Sequence, residues 1–336
     1  MKLTATHKLH LLIVTIQLLI YTSSCQQLLP VISFFESPST TAPVSLLQID
    51  LNTGEMTSSV TNVPYIVEFC SILDSTYGYV DTIYLNMTGY LNYYIGRYYF
   101  SNSSIVPLYE CQNETYDYFE YLNSISYYDY EANKISMVGI PGVTNNITII
   151  TYDLNANSVQ YYITDYVPVP TTLPGSSIYN ENQVVSFFYN NNGVGYSPSI
   201  LISDIVALTS QLYVIDEFDY LNYLTAPEPF TVYIKGQLYL MAADGDGYYY
   251  FFSVQLEDQK AVVKVLFKDE FFYCGVEPLL VTQDQQNIIF FGTSNRNDTS
   301  SLKFTNYNIQ TTQSQTVIIE NHNDMNPQDY AVFWAQ

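Results

Sequence analysis

Ten basic side chains against 32 acidic ones give this 336-residue chain a formal net charge of −22. Phosphate-rich partners need clustered Lys and Arg, so nucleic acid is excluded and anionic membrane surfaces are disfavoured. At 48% hydrophobic, with 35 tyrosines and 18 phenylalanines, the chain has ample material for a core and is not a disordered one.

The chain opens on a leader. Lys2 and Lys8 make a weakly basic start, and Leu11 to Ile20 form an apolar stretch too short for a membrane span of about 20 residues. Thr22-Ser23-Ser24-Cys25 then supplies small residues for cleavage. Residues 1–25 are read as a signal peptide and 26–336 as one domain, with cleavage before or after Cys25 left open. The expected location is extracellular or the lumen of the secretory pathway, without a membrane span. Five N-x-[ST] triplets agree with that compartment, at Asn86, Asn102, Asn113, Asn146 and Asn297.

After the leader, an apolar strand, a short polar turn and a second strand recur about every 51 residues. The turns are Ile49 to Gly54, Ser101 to Ser104, Tyr152 to Asn157, Ser203 to Val206, Gln255 to Gln259 and Tyr307 to Gln310. Two further strands precede the later hairpins. They include Ile125 to Tyr128 with Lys134 to Gly139, Ser177 to Tyr179 with Gln183 to Tyr189, Phe230 to Ile234 with Gln237 to Met241, and Leu279 to Val281 with Asn287 to Gly292. Each unit therefore reads as four strands, a to d in chain order. Short β-branched and aromatic runs between turn residues dominate, and no window carries a helical period.

The first unit lacks strand a: the chain enters at Val31 to Phe35 as a strand b. A spare strand, Tyr330 to Trp334, follows the sixth unit, and pairing it with the first unit would remove an open edge. The pattern resembles the β-propeller superfamily as an architecture. That resemblance implies an all-β, six-bladed β-propeller of four-stranded blades, the ring closed by the C-terminal strand on the N-terminal blade. Tandem β-sandwiches and a seven-bladed ring are the rival readings. No family signature is present: the Trp-Asp ending, the Tyr-Trp-Thr-Asp motif and the kelch Gly-Gly are all missing, so the architecture implies no function by itself.

Candidate chemistry is sparse. His322, the one histidine beyond the leader, stands in a loop of turn-forming residues, and no G-x-S-x-G element accompanies it. No catalytic residue is assigned. Asp244-Gly245-Asp246-Gly247 can aim Asp244 and Asp246 at a calcium-like cation, yet Tyr248 and Gln255 stand where further oxygen ligands belong. A tight turn is the plainer explanation, and calcium the one candidate cofactor. The connections from strand d to the next strand a mix acids with aromatics. They nominate Asp165, Tyr166, Asp216, Glu217, Phe218, Asp269, Glu270 and Phe271 as a binding surface on long loops. Alternatively, these acids solubilise the rim and the aromatics pack between blades. Cys70 and Cys111 fall at opposite edges of one unit, too far apart for a disulfide unless loops bend inward, and the pairing of Cys25, Cys70, Cys111 and Cys274 is undetermined.

The sequence thus suggests a secreted acidic glycoprotein that binds an extracellular protein or glycan without catalysis. A calcium-dependent hydrolase resembling propeller lactonases, and a structural coat or matrix glycoprotein, are the alternatives.

Overall fold

The computed structural model describes residues 31–36, 45–60, 68–74, 79–86, 92–99, 101–111, 127–129, 133–139, 146–166, 175–180, 183–191, 196–215, 230–243, 248–270, 279–281, 286–295, 298–320 and 330–335. Among them every regular element is a β-strand. The first sheet holds β1 (Val31–Glu36), β2 (Ser45–Asp50) and β3 (Met56–Val60). The second holds β4 (Glu68–Asp74), β5 (Tyr79–Asn86), β6 (Asn92–Tyr99) and β7 (Ser104–Cys111). The third holds β8 (Tyr127–Asp129), β9 (Lys134–Gly139), β10 (Thr148–Asp153) and β11 (Ser158–Ile163). A fourth meander comprises β12 (Gly175–Asn180), β13 (Gln183–Asn191), β14 (Tyr196–Asp204) and β15 (Thr209–Ile215). The fifth comprises β16 (Phe230–Ile234), β17 (Gln237–Ala243), β18 (Tyr248–Glu257) and β19 (Lys260–Glu270). The sixth comprises β20 (Leu279–Val281), β21 (Asn287–Asn295), β22 (Asp298–Asn308) and β23 (Ser314–Ile319), and β24 (Tyr330–Ala335) ends the chain.

β24 does not stay with the sixth meander. It pairs antiparallel with β1, from Ile32↔Ala335 to Glu36↔Tyr330, so the first sheet runs β24-β1-β2-β3 and is completed by the far end of the chain. The first strands of successive meanders also meet. β24 packs beside β4 and β20, β4 beside β8, and β12 beside β16. The fourth strands β15 and β19 also pair, in parallel, and join the fourth and fifth meanders into one eight-stranded sheet.

The turns between third and fourth strands explain the repeat. Asp50 Oδ1 accepts the Asn52 N–H at 2.7 Å, Asp153 Oδ1 those of Asn155 and Ala156, and Asp204 Oδ1 those of Val206 and Ala207. Asn308 Oδ1 accepts from Gln310 and Thr311, and Asn102 Oδ1 from Ser104. An Asx side chain that bonds its own backbone two or three residues on is a turn device. Four residues past Asp50, Asp153, Asp204 and Asn308, the chain turns left-handed at Gly54, Asn157, Leu208 and Thr312, with φ between 49° and 71°. Only Gly54 adopts that region without a steric cost. The fifth turn is tighter, with Asp258 and Gln259 at φ 34° and 72°. The N–H groups of Asn52 and Ala156 are the chief reason that the Asp50 and Asp153 carboxyls titrate below the ordinary carboxylate range. A lowered folded-state value means these turns are supported above the unfolded-state pKa and lose that support as pH falls through the folded one.

The sheets bury both faces. On β18, Tyr250, Phe252 and Val254 enter a core shared with Val185, Phe187 and Ile200 of the fourth meander. The alternate residues Tyr249 and Phe251 enter a second core with Ile288, Phe290 and Tyr307 of the sixth. Likewise on β13, Val185, Phe187 and Tyr189 face the fifth meander, while Val184 and Phe188 pack on Ile147 and Ile149 of the third. Between the second and third meanders, Tyr109 meets Tyr152 edge to face at 5.1 Å. Period-2 alternation with both faces apolar is what a sheet sandwiched between two others requires. The outer strands β3, β11 and β23 are instead mostly exposed.

Candidate functional site

The connection after β11 is described as far as Tyr166, and it is a packed corner. The Ile147 N–H donates to the Tyr166 carbonyl at 2.9 Å, and the Thr164 N–H to the Ile147 carbonyl at 2.9 Å. Asn146 Nδ2 donates to the Thr164 carbonyl at 2.7 Å, and the Tyr166 N–H to Thr164 Oγ1 at 3.3 Å. The Tyr166 ring tilts against Phe188 with centroids 6.4 Å apart, within the core between third and fourth meanders. Of the two candidates here, Asp165 is exposed to solvent and Tyr166 is a half-buried packing residue. The aromatic serves the seam between sheets, and only the acid is presented outward.

Asp269 departs from the sequence expectation. It lies not in a loop but within β19, which runs on through Glu270. Its Oδ1 accepts from Lys303 Nζ at 2.6 Å and its Oδ2 from Thr305 Oγ1 at 3.0 Å, both on β22 of the next meander. Side-chain exposures of 21% for Asp269 and 15% for Lys303 make this a shielded ion pair that pins β19 to its neighbour. The run of Asp269 to Tyr273 looked like a connection because charged residues rarely end a buried strand. The lysine that neutralises Asp269 is 34 residues away in sequence. Asp269→Asn is therefore expected to cost about 1.5–3 kcal/mol, the range for hydrogen bonds to charged groups. Urea unfolding measures it; a midpoint equal to that of the wild type would show that the pair contributes nothing.

Asp216, Glu217, Phe218, Phe271, Asp244, Asp246, Asn113, Asn297, Cys25, Cys274 and His322 lie outside the described residues. Glu270 ends β19 and Asn86 ends β5. Cys70 is on β4 and Cys111 ends β7, at the two edges of the sheet ordered β4-β5-β6-β7. Three strand spacings, roughly 14 Å, separate those edges. Of the glycosylation candidates, Asn102 is exposed at its turn, whereas Asn146 is half-buried with its amide committed to Thr164. No group of three His, Cys, Asp or Glu side chains gathers among the described residues.

One open groove, of about 690 Å³, was not foreseen. Gln183, Asp204, Thr209, Ser210, Gln211 and Tyr213 line it, with Leu256 of the fifth meander closing one side. Of its polar lining, Ser210 is engaged from outside the groove: its Oγ lies 2.9 Å from both Ser203 Oγ and Tyr162 Oη. The groove follows from the seam between two sheets, which local sequence does not announce.

No family model matches the chain, and no curated protein does. Solved structures do resemble it in three dimensions. The structure of TolB from Acinetobacter baumannii is 10% identical, with a TM-score of 0.53 over 87% of this chain. The chain spans 64% of that structure. A triple mutant of AofleA from Arthrobotrys oligospora is 9% identical, with a TM-score of 0.52 over 78% of this chain and 74% of that one. The β-propeller domain of the trilobed protease from Pyrococcus furiosus is 10% identical over 78% of this chain and 73% of that one, with a TM-score of 0.40. At such identities only the fold is shared. The described residues are all-β, and the fold resembles that of β-propeller proteins, with no single family shown.

Proposed function

We propose that the six meanders are the blades of a six-bladed propeller, closed by β24 on β1, and that the protein is a secreted, acidic, glycosylated binding module without catalysis. The observation that supports this reading is the double-faced burial of the middle sheets, with Phe251 and Phe252 pointing into opposite cores. Sheets used up in this way leave partners only the connecting loops, the mouths of the central channel and the outer edges. Function on a rigid scaffold concentrates in such loops. The sequence after β11, β15 and β19 carries Asp165, then Asp216, Glu217 and Phe218, then Phe271, acids and aromatics suited to a basic protein, a glycan or a cation. Asp269 is left out of this surface, because its charge is engaged by Lys303.

Two measurements on protein from a secreting host test the proposal. Intact mass should fall short of the full chain by the leader and shrink on glycosidase treatment, with sugar on Asn102 and none on Asn146. An intact Met1 with no glycosidase shift contradicts the secretory assignment. Millimolar calcium should move Tm by less than about 1 °C. A rise above about 5 °C together with lactone hydrolysis would favour the calcium-dependent hydrolase, since a ligand held far above its Kd stabilises by several kcal/mol.

A further inference from the structure

We propose that the turn between β14 and β15, with the groove beside it, is a self-complementary patch through which two copies of this chain pair about a two-fold axis. The turn differs from its siblings. Val206 is 71% exposed and Leu208 59%, and Ala207 between them is exposed as well. Asp204 Oδ1 fixes the turn by accepting the Val206 and Ala207 N–H groups at 2.9 and 2.7 Å. Two and four residues past the capping Asx, the sibling turns carry Asn52 and Gly54, Asn155 and Asn157, or Gln310 and Thr312. Among these turns, only that of the fourth meander places two large apolar side chains there. Leu208 stands at φ 53°, a left-handed conformation that costs a leucine more than the Gly54 or Asn157 found in its place elsewhere. Single exposed apolar residues are ordinary. Two on one fixed turn, one of them held against backbone strain, mark a contact surface.

The socket is contiguous with this knob. Asp204 and Thr209 are the last register pair before the turn, and both also line the groove of about 690 Å³. Ile202 of β14, Tyr213 of β15 and Leu256 of β18 give the groove apolar walls with room for a valine and a leucine side chain. A two-fold axis running between turn and groove sets each copy's Val206 and Leu208 in the other's groove, an isologous contact that closes at two copies. Charge selects a second copy as the occupant. The chain carries −22 overall, so copies repel wherever their acids face each other. Residues 205–215 hold no charged side chain, which is what a contact between like surfaces needs and what a basic partner would gain nothing from. No N-x-[ST] triplet lies between Asn146 and Asn297, so no glycan acceptor on the fourth or fifth meander obstructs the approach. The patch shares no residue with the loop surface proposed above.

Sedimentation equilibrium of the intact protein between about 1 and 300 µM should show a monomer–dimer equilibrium. Added salt should tighten it, because Asp204 and Glu257 border the patch and screening weakens their repulsion. The double variant Val206→Asn/Leu208→Gly gives this turn the residue types of Asn52 and Gly54 in the first one, so it should melt no lower than the wild type. Its dimer should be weaker by at least about a hundredfold, since a two-fold contact loses both side chains twice. A wild type that stays monomeric at every concentration, a dimer that salt dissociates, or one that the double variant leaves intact overturns the proposal. So does a monomeric wild type that binds phosphatidylcholine vesicles when the double variant does not, since the occupant would then be a lipid surface. The dilution and salt series use the wild type alone, so the decision stands even if the variant fails to fold.

Discussion

Removing residues 328–336 is expected to lower Tm by at least about 10 °C, roughly 5 kcal/mol at ~2 °C per kcal/mol for a chain of this size. The deletion takes away β24, which supplies the inner strand of the first sheet through the register from Ile32↔Ala335 to Glu36↔Tyr330. β24 also touches β4 of the second meander and β20 of the sixth, so two seams open with it. β1 becomes an unpaired edge, a template for aggregation. Thermal melting with light scattering reads both effects. A truncated protein that melts with the full-length one would show that the first sheet does not depend on the last strand.

Phe251→Ala should be nearly as damaging at a single side chain. Phe251 is fully buried, stacked on Tyr239 at 5.1 Å, with Phe290 and Tyr307 edge-on at 5.4 and 5.8 Å. Its removal leaves a cavity between the fifth and sixth meanders, and Phe→Ala in a packed core costs about 3–5 kcal/mol. Val262→Ala on the same meander, at a half-exposed position, should cost under about 0.5 kcal/mol. Equal urea midpoints for the two variants would mean that the seam between the meanders is not a core.

The fold was largely legible because its signals are local. Asp50, Asn102, Asp153, Asp204 and Asn308 cap their turns through bonds spanning two or three residues. A short-range device of this kind leaves its mark directly in residue type. Leu208 and Thr312 sit left-handed with no glycine to announce it, because the Asx bonds four residues back impose the turn. The completion of the first sheet was legible too, from one missing strand and one spare. The candidate site was legible only in part. Tyr166 lies in a connection and packs on Phe188 across a seam, the alternative offered for these aromatics, whereas Asp269, read as a loop residue, lies in β19 and pairs with Lys303 across another seam. Partners on a neighbouring sheet are set by packing, and no periodicity within one unit carries that information.

The central claim, that the two ends of the chain meet in one sheet, is tested most directly by a cross-link. Phe35 and Ala331 are antiparallel partners, and directly opposed residues have Cα atoms about 4.5–5.5 Å apart, within disulfide reach. In the double variant Phe35→Cys/Ala331→Cys, oxidised after folding, peptide mapping should recover the two substituted positions linked to each other in high yield. A protein whose two introduced thiols stay reduced, or join other cysteines at random, would contradict the closure.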